Sequence, residues 1–122
     1  MTRVLLKNEN IHSSILHKIG GGYSNIVDDV ISAVNKHDVL VIGMRQNPVC
    51  KSAKKNLEKA SLSYEYIEYG SYLSEWKPRL AIKMWSGWPT FPMVFVKGTL
   101  IGGNHELDKL IESGEIKALI AA

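Results

Sequence analysis

Residues 88–103 have the sequence WPTFPMVFVKGTLIGG, and this stretch is the clearest indication of how the chain folds. Two runs rich in β-branched and aromatic residues, 92–96 and 99–101, are separated only by a Lys-Gly pair. Two residues that include a glycine make a tight connection between antiparallel strands, so the stretch predicts a β-hairpin. The glycine pair at 102–103 ends the second strand.

Three helices are predicted before the hairpin. Apolar residues recur at helical spacing over 24–36, where Ser24 or Asn25 is the expected N-cap. A second helix over 48–60 follows an Asn-Pro pair, since asparagine caps free amides and proline is tolerated at the first helical position. A third helix lies within 72–86, and an internal proline is expected to delay its regular part. The core-facing side of the second helix is predicted to consist of Val49, Ala53, Leu57 and Ala60.

Two predicted strands precede the hairpin and complete the sheet. The apolar run 38–43 predicts a strand covered on both faces, and residues 64–68 carry strong β-formers. After the hairpin, one helix is expected with Asn104 as its N-cap and a short one after Gly114. A parallel β-α-β unit followed by a hairpin implies an α/β fold, with a four-stranded mixed sheet between helices.

Composition narrows the possible functions. The 122 residues are enough for one domain with its own core. A net charge of +3 is small for a nucleic-acid-binding domain, so no nucleic-acid partner is expected. No apolar run approaches the roughly 20 residues of a membrane span, and no signal peptide is recognisable, so we expect no membrane contact and a cytoplasmic location. The single cysteine fits a reducing compartment, and the four histidines lack metal-ligand spacing.

Residues 1–23 are predicted to form an N-terminal extension of a domain that comprises 24–122. The extension shows no sustained periodicity and ends in three consecutive glycines, whose permissive backbone suits a hinge. Residues 1–19 are therefore expected to pack little onto the domain.

The element order and three motifs resemble the glutaredoxin family. The motifs are Asn47-Pro48-Val49-Cys50 after the first strand, Trp88-Pro89-Thr90-Phe91-Pro92 before the hairpin, and Gly102-Gly103 after it. The Trp-Pro-Thr-apolar-Pro run is similar to the monothiol branch, which uses a Cys-Gly-Phe-Ser motif. The resemblance covers most of the predicted domain and implies a three-layer thioredoxin-like fold with a cis Phe91–Pro92 bond.

The chain departs from this family at the nucleophile. The family motif begins with the attacking thiolate, and Asn47 holds that position here. Cys50 falls on the fourth position, which a resolving cysteine or a serine occupies in the family. Two interpretations of Cys50 stay open: a small residue that packs like alanine, or a thiol with a lowered pKa, since a helix N-terminus and the nearby Arg45 and Lys51 favour a thiolate.

The resemblance also implies a glutathione site. Its backbone groups come from the motif around the proline and from the start of the next helix: Thr90, Phe91, Pro92, Gly103, Asn104 and His105. His105 stands where the family usually has Asp, so an acceptor for the ammonium group of the ligand is lost. Arg79 corresponds to a carboxylate-binding arginine of the monothiol branch. Met44 falls on a family lysine, and Arg45 is expected to compensate for it.

Three functions follow from the resemblance. The leading hypothesis is a binding module for glutathione, or for a glutathionylated or thiol-bearing protein, with weak or no conventional thiol transfer. The alternative is a glutathione-dependent thiol-disulfide oxidoreductase that uses Cys50 as its catalytic residue. A monothiol-type [2Fe-2S] carrier is the least favoured, because Asn47 replaces the cluster ligand.

Overall fold

The computed structural model describes residues 3–122, so Met1 and Thr2 of the predicted extension lie outside it. The helices and strands follow the predicted order: α1 Ser24–Lys36, β1 Val39–Gly43, α2 Pro48–Lys59, β2 Glu65–Glu68, α3 Trp76–Ser86, β3 Met93–Val96, β4 Thr99–Gly102, α4 Asn104–Ser113 and α5 Glu115–Ala121. Two 3-10 segments, Asn8–Asn10 and Ser13–Gly21, precede α1.

The four strands form one mixed sheet in the order β2-β1-β3-β4. β1 is parallel to β2 and antiparallel to β3, which in turn pairs antiparallel with β4. The central strands are buried on both faces. On one face Leu40 and Ile42 pack with residues of α1 and α3, and on the other Val39 and Val41 pack with residues of α2, α4 and α5. The α/β fold with three layers is confirmed.

The hairpin forms where the sequence predicts it. Lys97 and Gly98, the two residues between β3 and β4, both have positive φ angles, of 51° and 80°. Two consecutive positive φ angles are typical of a type I′ turn, whose twist matches that of the strands it joins. Glycine meets this requirement without strain.

Two of the predicted N-caps are wrong. Tyr23, which makes no side-chain cap, precedes α1, so Ser24 is already helical. Gly103 is the N-cap of α4, because Glu106 bonds back to its amide, and Asn104 is the first helical residue. α3 also begins two residues before Pro78, since the amide of a third helical residue has no partner within the helix.

The N-terminal segment contacts α3 at its glycine end. Residues 3–10 are exposed, as the sequence suggests, but Ser13–Gly21 lies against α3. A Cβ atom added to Gly21 would lie 3.2 Å from Cα of Ala81. Arg3 adds a bond from Nη1 to the carbonyl oxygen of Ser86, at 3.1 Å. The close contact with Ala81 is thus made by Gly21, whereas residues 12–19 are exposed, so little packing of residues 1–19 stays a prediction.

Candidate functional site

The sequence-predicted site residues gather at one end of the sheet. The pairings Ile42–Met93 and Val94–Gly102 bring the carboxyl ends of β1 and β4 beside the amino end of β3. Because β2 is parallel to β1, its carboxyl end lies at this edge too. The loops after β1 and β2, the loop before β3 and the start of α4 therefore meet there.

Asn47 caps α2, as its place before Pro48 predicts. Its Oδ1 atom accepts the backbone N–H groups of Val49, at 2.9 Å, and Cys50, at 3.0 Å. Its Nδ2 atom donates to the hydroxyl of Tyr72, at 3.3 Å. Asn47 is only 9% exposed, so the position that the resemblance assigns to the nucleophile holds a buried amide whose oxygen and nitrogen both form hydrogen bonds.

Cys50 lies inside the domain, with 1% of its surface exposed. It packs in the same core cluster as Met44 and Phe91. Burial raises the pKa of the Cys50 thiol and outweighs a lowering interaction with the backbone of Met44. The interpretation of Cys50 as a thiol with a lowered pKa is therefore wrong.

The core-facing side of α2 differs from the predicted one at both ends, because Cys50 replaces Val49 and the half-buried Ala60 lies just after the last residue of the helix. Cys50, Ala53 and Leu57 are buried, whereas Val49 is 46% exposed. Both Val49 and Cys50 lie within one helical turn of Ala53, so spacing alone does not distinguish them. Cys50 is seven residues from Leu57, which places the two on one side of the helix.

Arg79 holds the loop between β2 and α3. Its buried guanidinium donates from Nη1 to the carbonyl oxygens of Tyr69, at 2.8 Å, and Ser74, at 2.6 Å. These bonds shape residues 69–74, the loop that carries Tyr72. The sequence does not reveal this role, because the carbonyl partners of a guanidinium have no sequence signature.

Arg45 lies on the surface beside Glu68. The side chain of Arg45 is 69% exposed, and its Nε atom is 3.6 Å from Oε2 of Glu68. The other carboxylate oxygen of Glu68 accepts the hydroxyl of Tyr66, at 2.9 Å. Met44, which the resemblance aligns with a family lysine, is buried, and Arg45 is the cation that this loop presents to solvent.

The segment before β3 approaches the start of α4 closely. The Phe91–Pro92 bond is cis, as the resemblance implies. Thr90 is exposed, while Phe91 and Pro92 are buried. A Cβ atom added to Gly103 would lie 3.3 Å from the carbonyl oxygen of Pro92 and 3.7 Å from Nε1 of Trp88. A side chain at residue 103 would fill this narrow space between two backbone segments.

The start of α4 is fixed by two side-chain bonds that the sequence analysis missed. Oε1 of Glu106 accepts the amide of Gly103, at 2.8 Å, and this bond lowers the pKa of the Glu106 carboxyl. Oδ1 of Asn104 accepts Nδ2 of Asn56 in α2, at 2.9 Å. His105 is exposed. A Glu three residues after a helix start is a recognisable capping signal, whereas the Asn56–Asn104 contact joins distant residues.

The described part of the chain offers neither a cluster of metal ligands nor a membrane-spanning helix. Residues 3–122 contain no group of three or more His, Cys, Asp or Glu side chains placed to hold a metal ion. None of the helices within that range has the length and apolar character needed to cross a bilayer.

Known proteins resemble this chain in both sequence and fold. The glutaredoxin family model matches residues 39–101. A glutaredoxin-like protein of Dictyostelium discoideum is 39% identical over 110 residues, which cover 90% of this chain and 86% of that protein. Monothiol glutaredoxin-S17 of Arabidopsis thaliana is 33% identical over 82% of this chain, but the match spans only 21% of its own length.

The solved structures agree with the sequence comparisons. The buckwheat glutaredoxin–glutathione complex superposes with a TM-score of 0.69 at 22% identity, over 80% of this chain and 89% of the other. Wheat glutaredoxin gives a TM-score of 0.68 at 25% identity, over 83% and 94%. The family match, the Dictyostelium relative and the shared fold together establish that the chain belongs to the glutaredoxin family.

Proposed function

We propose that this protein binds glutathione, or the glutathionyl group of a modified protein, without conventional thiol transfer. The observation that carries the proposal is Asn47, a buried amide that caps α2 at the position the resemblance assigns to the nucleophile. An amide cannot attack a disulfide. The neighbouring thiol, Cys50, is buried and has a raised pKa, so it is a poor substitute.

The fit of glutathione is supported by two features of the described residues. The close approach of Gly103 to Pro92 forms a narrow backbone cradle that a Cβ would fill, and α4 begins beside it, where the first amides of a helix have no partner within the helix. Such amides suit a carboxylate like that of the γ-glutamyl residue. Arg45 would hold the other carboxylate, assisted by the donors of Arg79 other than the Nη1 group that bonds Tyr69 and Ser74. The buckwheat protein of the same fold is described with glutathione.

Two residues at the start of α4 reduce the affinity for glutathione that we expect. Glu106 already places a carboxylate at the N-terminus of α4, where it competes with an incoming anion. His105 offers no carboxylate for the ammonium group of the ligand. We therefore propose weak binding, which suits reversible recognition of glutathione at its high cellular concentrations.

Calorimetric titration with reduced glutathione tests the proposal. We expect one saturable site, and Gly103→Ala should weaken it because the new Cβ enters the cradle beside Pro92. Gly103 has a negative φ of −106°, so alanine is compatible with its backbone. Ala118→Gly, at an exposed position of α5, is a control that should leave binding unchanged. Absence of saturable heat at millimolar glutathione would contradict the proposal.

The enzymatic alternative predicts a different result. If Cys50 carried out a monothiol reaction, Cys50→Ser would abolish any residual reduction of a glutathione mixed disulfide. We expect Cys50→Ser to leave that residual rate unchanged, since the thiol is buried.

A [2Fe-2S] cluster does not fit the donor set at this site. Such clusters are held by thiolates, and Asn47 offers only amide atoms that are already bonded. Cys50 has a raised pKa and is buried in the core. We therefore do not assign a cluster to this protein.

A further inference from the structure

One face of α3 exposes a row of three large apolar side chains. Trp76, Leu80 and Met84 are spaced by four residues, which places them in line along the helix. They are 58%, 42% and 55% exposed, respectively. Contiguous apolar surface on a soluble domain is a common mark of a binding surface.

The N-terminal segment forms the second wall of a groove beside Trp76 and Leu80, the first two residues of this row. Tyr23, Trp76 and Leu80 line the groove, which has a volume of about 390 Å³. Gly21 lies directly against Ala81 of α3, so the two walls are in contact at the base of the groove. The groove is thus built by the packing of the N-terminal segment on α3.

The groove is bordered by positive charge. Lys18 comes from the N-terminal segment and Lys77 from α3, so each wall contributes one ammonium group. Nζ of Lys77 lies 5.5 Å from the ring centroid of Trp76. Neither Ser13–Gly21 nor Trp76–Ser86 contains Asp or Glu. Glu75, directly before α3, lies on the adjoining surface with Tyr23 and Trp76 and does not line the groove. An apolar groove between lysines is complementary to an apolar surface flanked by carboxylates.

We infer that this groove binds an amphipathic helix of a partner protein, with leucine or aromatic side chains flanked by Asp and Glu. A helix fits better than a strand, because the backbone groups of α3 bond within the helix and offer no sheet edge. Residues four apart lie about 6 Å apart along a helix, so apolar residues at the same spacing can contact the row. The inference does not depend on glutathione binding.

The test uses the full chain and two synthetic amphipathic peptides with the same row of leucines. One peptide has glutamates beside the row, and the other has lysines. We expect the glutamate peptide to bind and to shift the amide NMR signals of residues 18–23 and 76–84. Lys18→Glu/Lys77→Glu should weaken this binding roughly tenfold, because each substitution replaces attraction to the glutamates of the peptide with repulsion.

A matched control distinguishes binding in this groove from attraction to the net charge of the protein. Lys55→Glu/Lys117→Glu makes the same charge change on exposed residues of α2 and α5, on the opposite face of the sheet. We expect it to leave the Kd unchanged. Trp76→Ala should weaken binding, and Leu80→Gln provides a second variant if that protein does not fold. Circular dichroism checks that each variant is folded.

Three outcomes would overturn the inference. Equal binding of both peptides would remove the role of charge. An equal loss in the control variant would indicate attraction to the net charge of the protein rather than to the groove. If the chain self-associates in sedimentation and Trp76→Glu abolishes this, the face binds a second copy of the chain instead of a partner helix.

Discussion

At the scale of single residues, the start of α2 directs two amide N–H groups at one side-chain position. In this chain Oδ1 of Asn47 accepts both, from Val49 and Cys50. A thiolate placed there would accept the same N–H groups and would also lie at the positive end of the helix dipole. The local backbone therefore favours an anion at residue 47 although the residue present is neutral.

Asn47→Cys should consequently gain glutathione-dependent thiol transfer well above the wild-type rate. The new thiol is expected to have a pKa below that of a free cysteine, because both amides bond the thiolate. Loss of the asparagine cap should cost about 1 kcal/mol of stability. Turnover of a glutathione mixed disulfide and the pH dependence of alkylation measure the two effects. A new thiol that alkylates slowly while glutathione still binds would show that residue 47 does not occupy the nucleophile position.

Cys50, unlike a cysteine introduced at residue 47, should be an unreactive thiol. Because burial raises its pKa and removes it from solvent, we expect the native protein to react with iodoacetamide far more slowly than free cysteine at the same pH. Reaction in urea should reach the rate of a free thiol. Rapid labelling of the native protein, followed by mass spectrometry, would contradict the buried position.

At the scale of elements, α4 is held by its own third residue. Glu106 bonds the Gly103 amide, and this bond lowers the pKa of the Glu106 carboxyl. Such a helix start rigidly positions the amides of Asn104 and His105 at the edge of the candidate site. Its stability is therefore tied to the charge on one carboxylate.

The pH dependence of stability follows from the lowered pKa. A carboxyl whose pKa is lower in the folded state stabilises the fold above its unfolded pKa, and this contribution is lost as the pH falls through the folded pKa. We expect Glu106→Gln to be less stable than wild type at neutral pH, with the difference shrinking below the ordinary glutamate value of 4.5. Urea unfolding at several pH values measures it. A difference that grows at acid pH would contradict the assigned bond.

At the scale of the whole molecule, the N-terminal segment divides into two parts. Residues 3–10 are exposed, whereas Ser13–Gly21 covers part of α3. Deletion of residues 1–12 should leave the Tm nearly unchanged. Deletion of residues 1–21 should lower it by about 4–8 °C for each kcal/mol of lost packing. Thermal unfolding of both truncated chains distinguishes them, and an equal Tm would mean that the whole segment is an appendage, as the sequence alone suggests.

The sequence predicted the sheet and the hairpin because their signals are local. The Lys-Gly turn, the apolar strands and the Asn47 cap each lie within a few residues of the feature they determine. The contacts that the analysis missed join residues far apart in sequence, such as Asn56 with Asn104 and Asn47 with Tyr72. The N-cap of α1 was misplaced because the helix begins where the backbone conformation of the preceding residue, Tyr23, allows it, and Tyr23 has no capping side chain. The sequence did not show whether Val49 or Cys50 faces the core, because both lie about one helical turn before Ala53.

The pairing of β1 with β3 has a consequence for the order of folding. Nearly half of the chain separates Ile42 from Met93, which lie opposite each other at the end of the sheet where the candidate site forms. Closing so long a loop is entropically costly and slows folding. Cys50 and Phe91, which share one core cluster, therefore come together only when that pairing forms, so neither half of the domain contains the candidate site on its own.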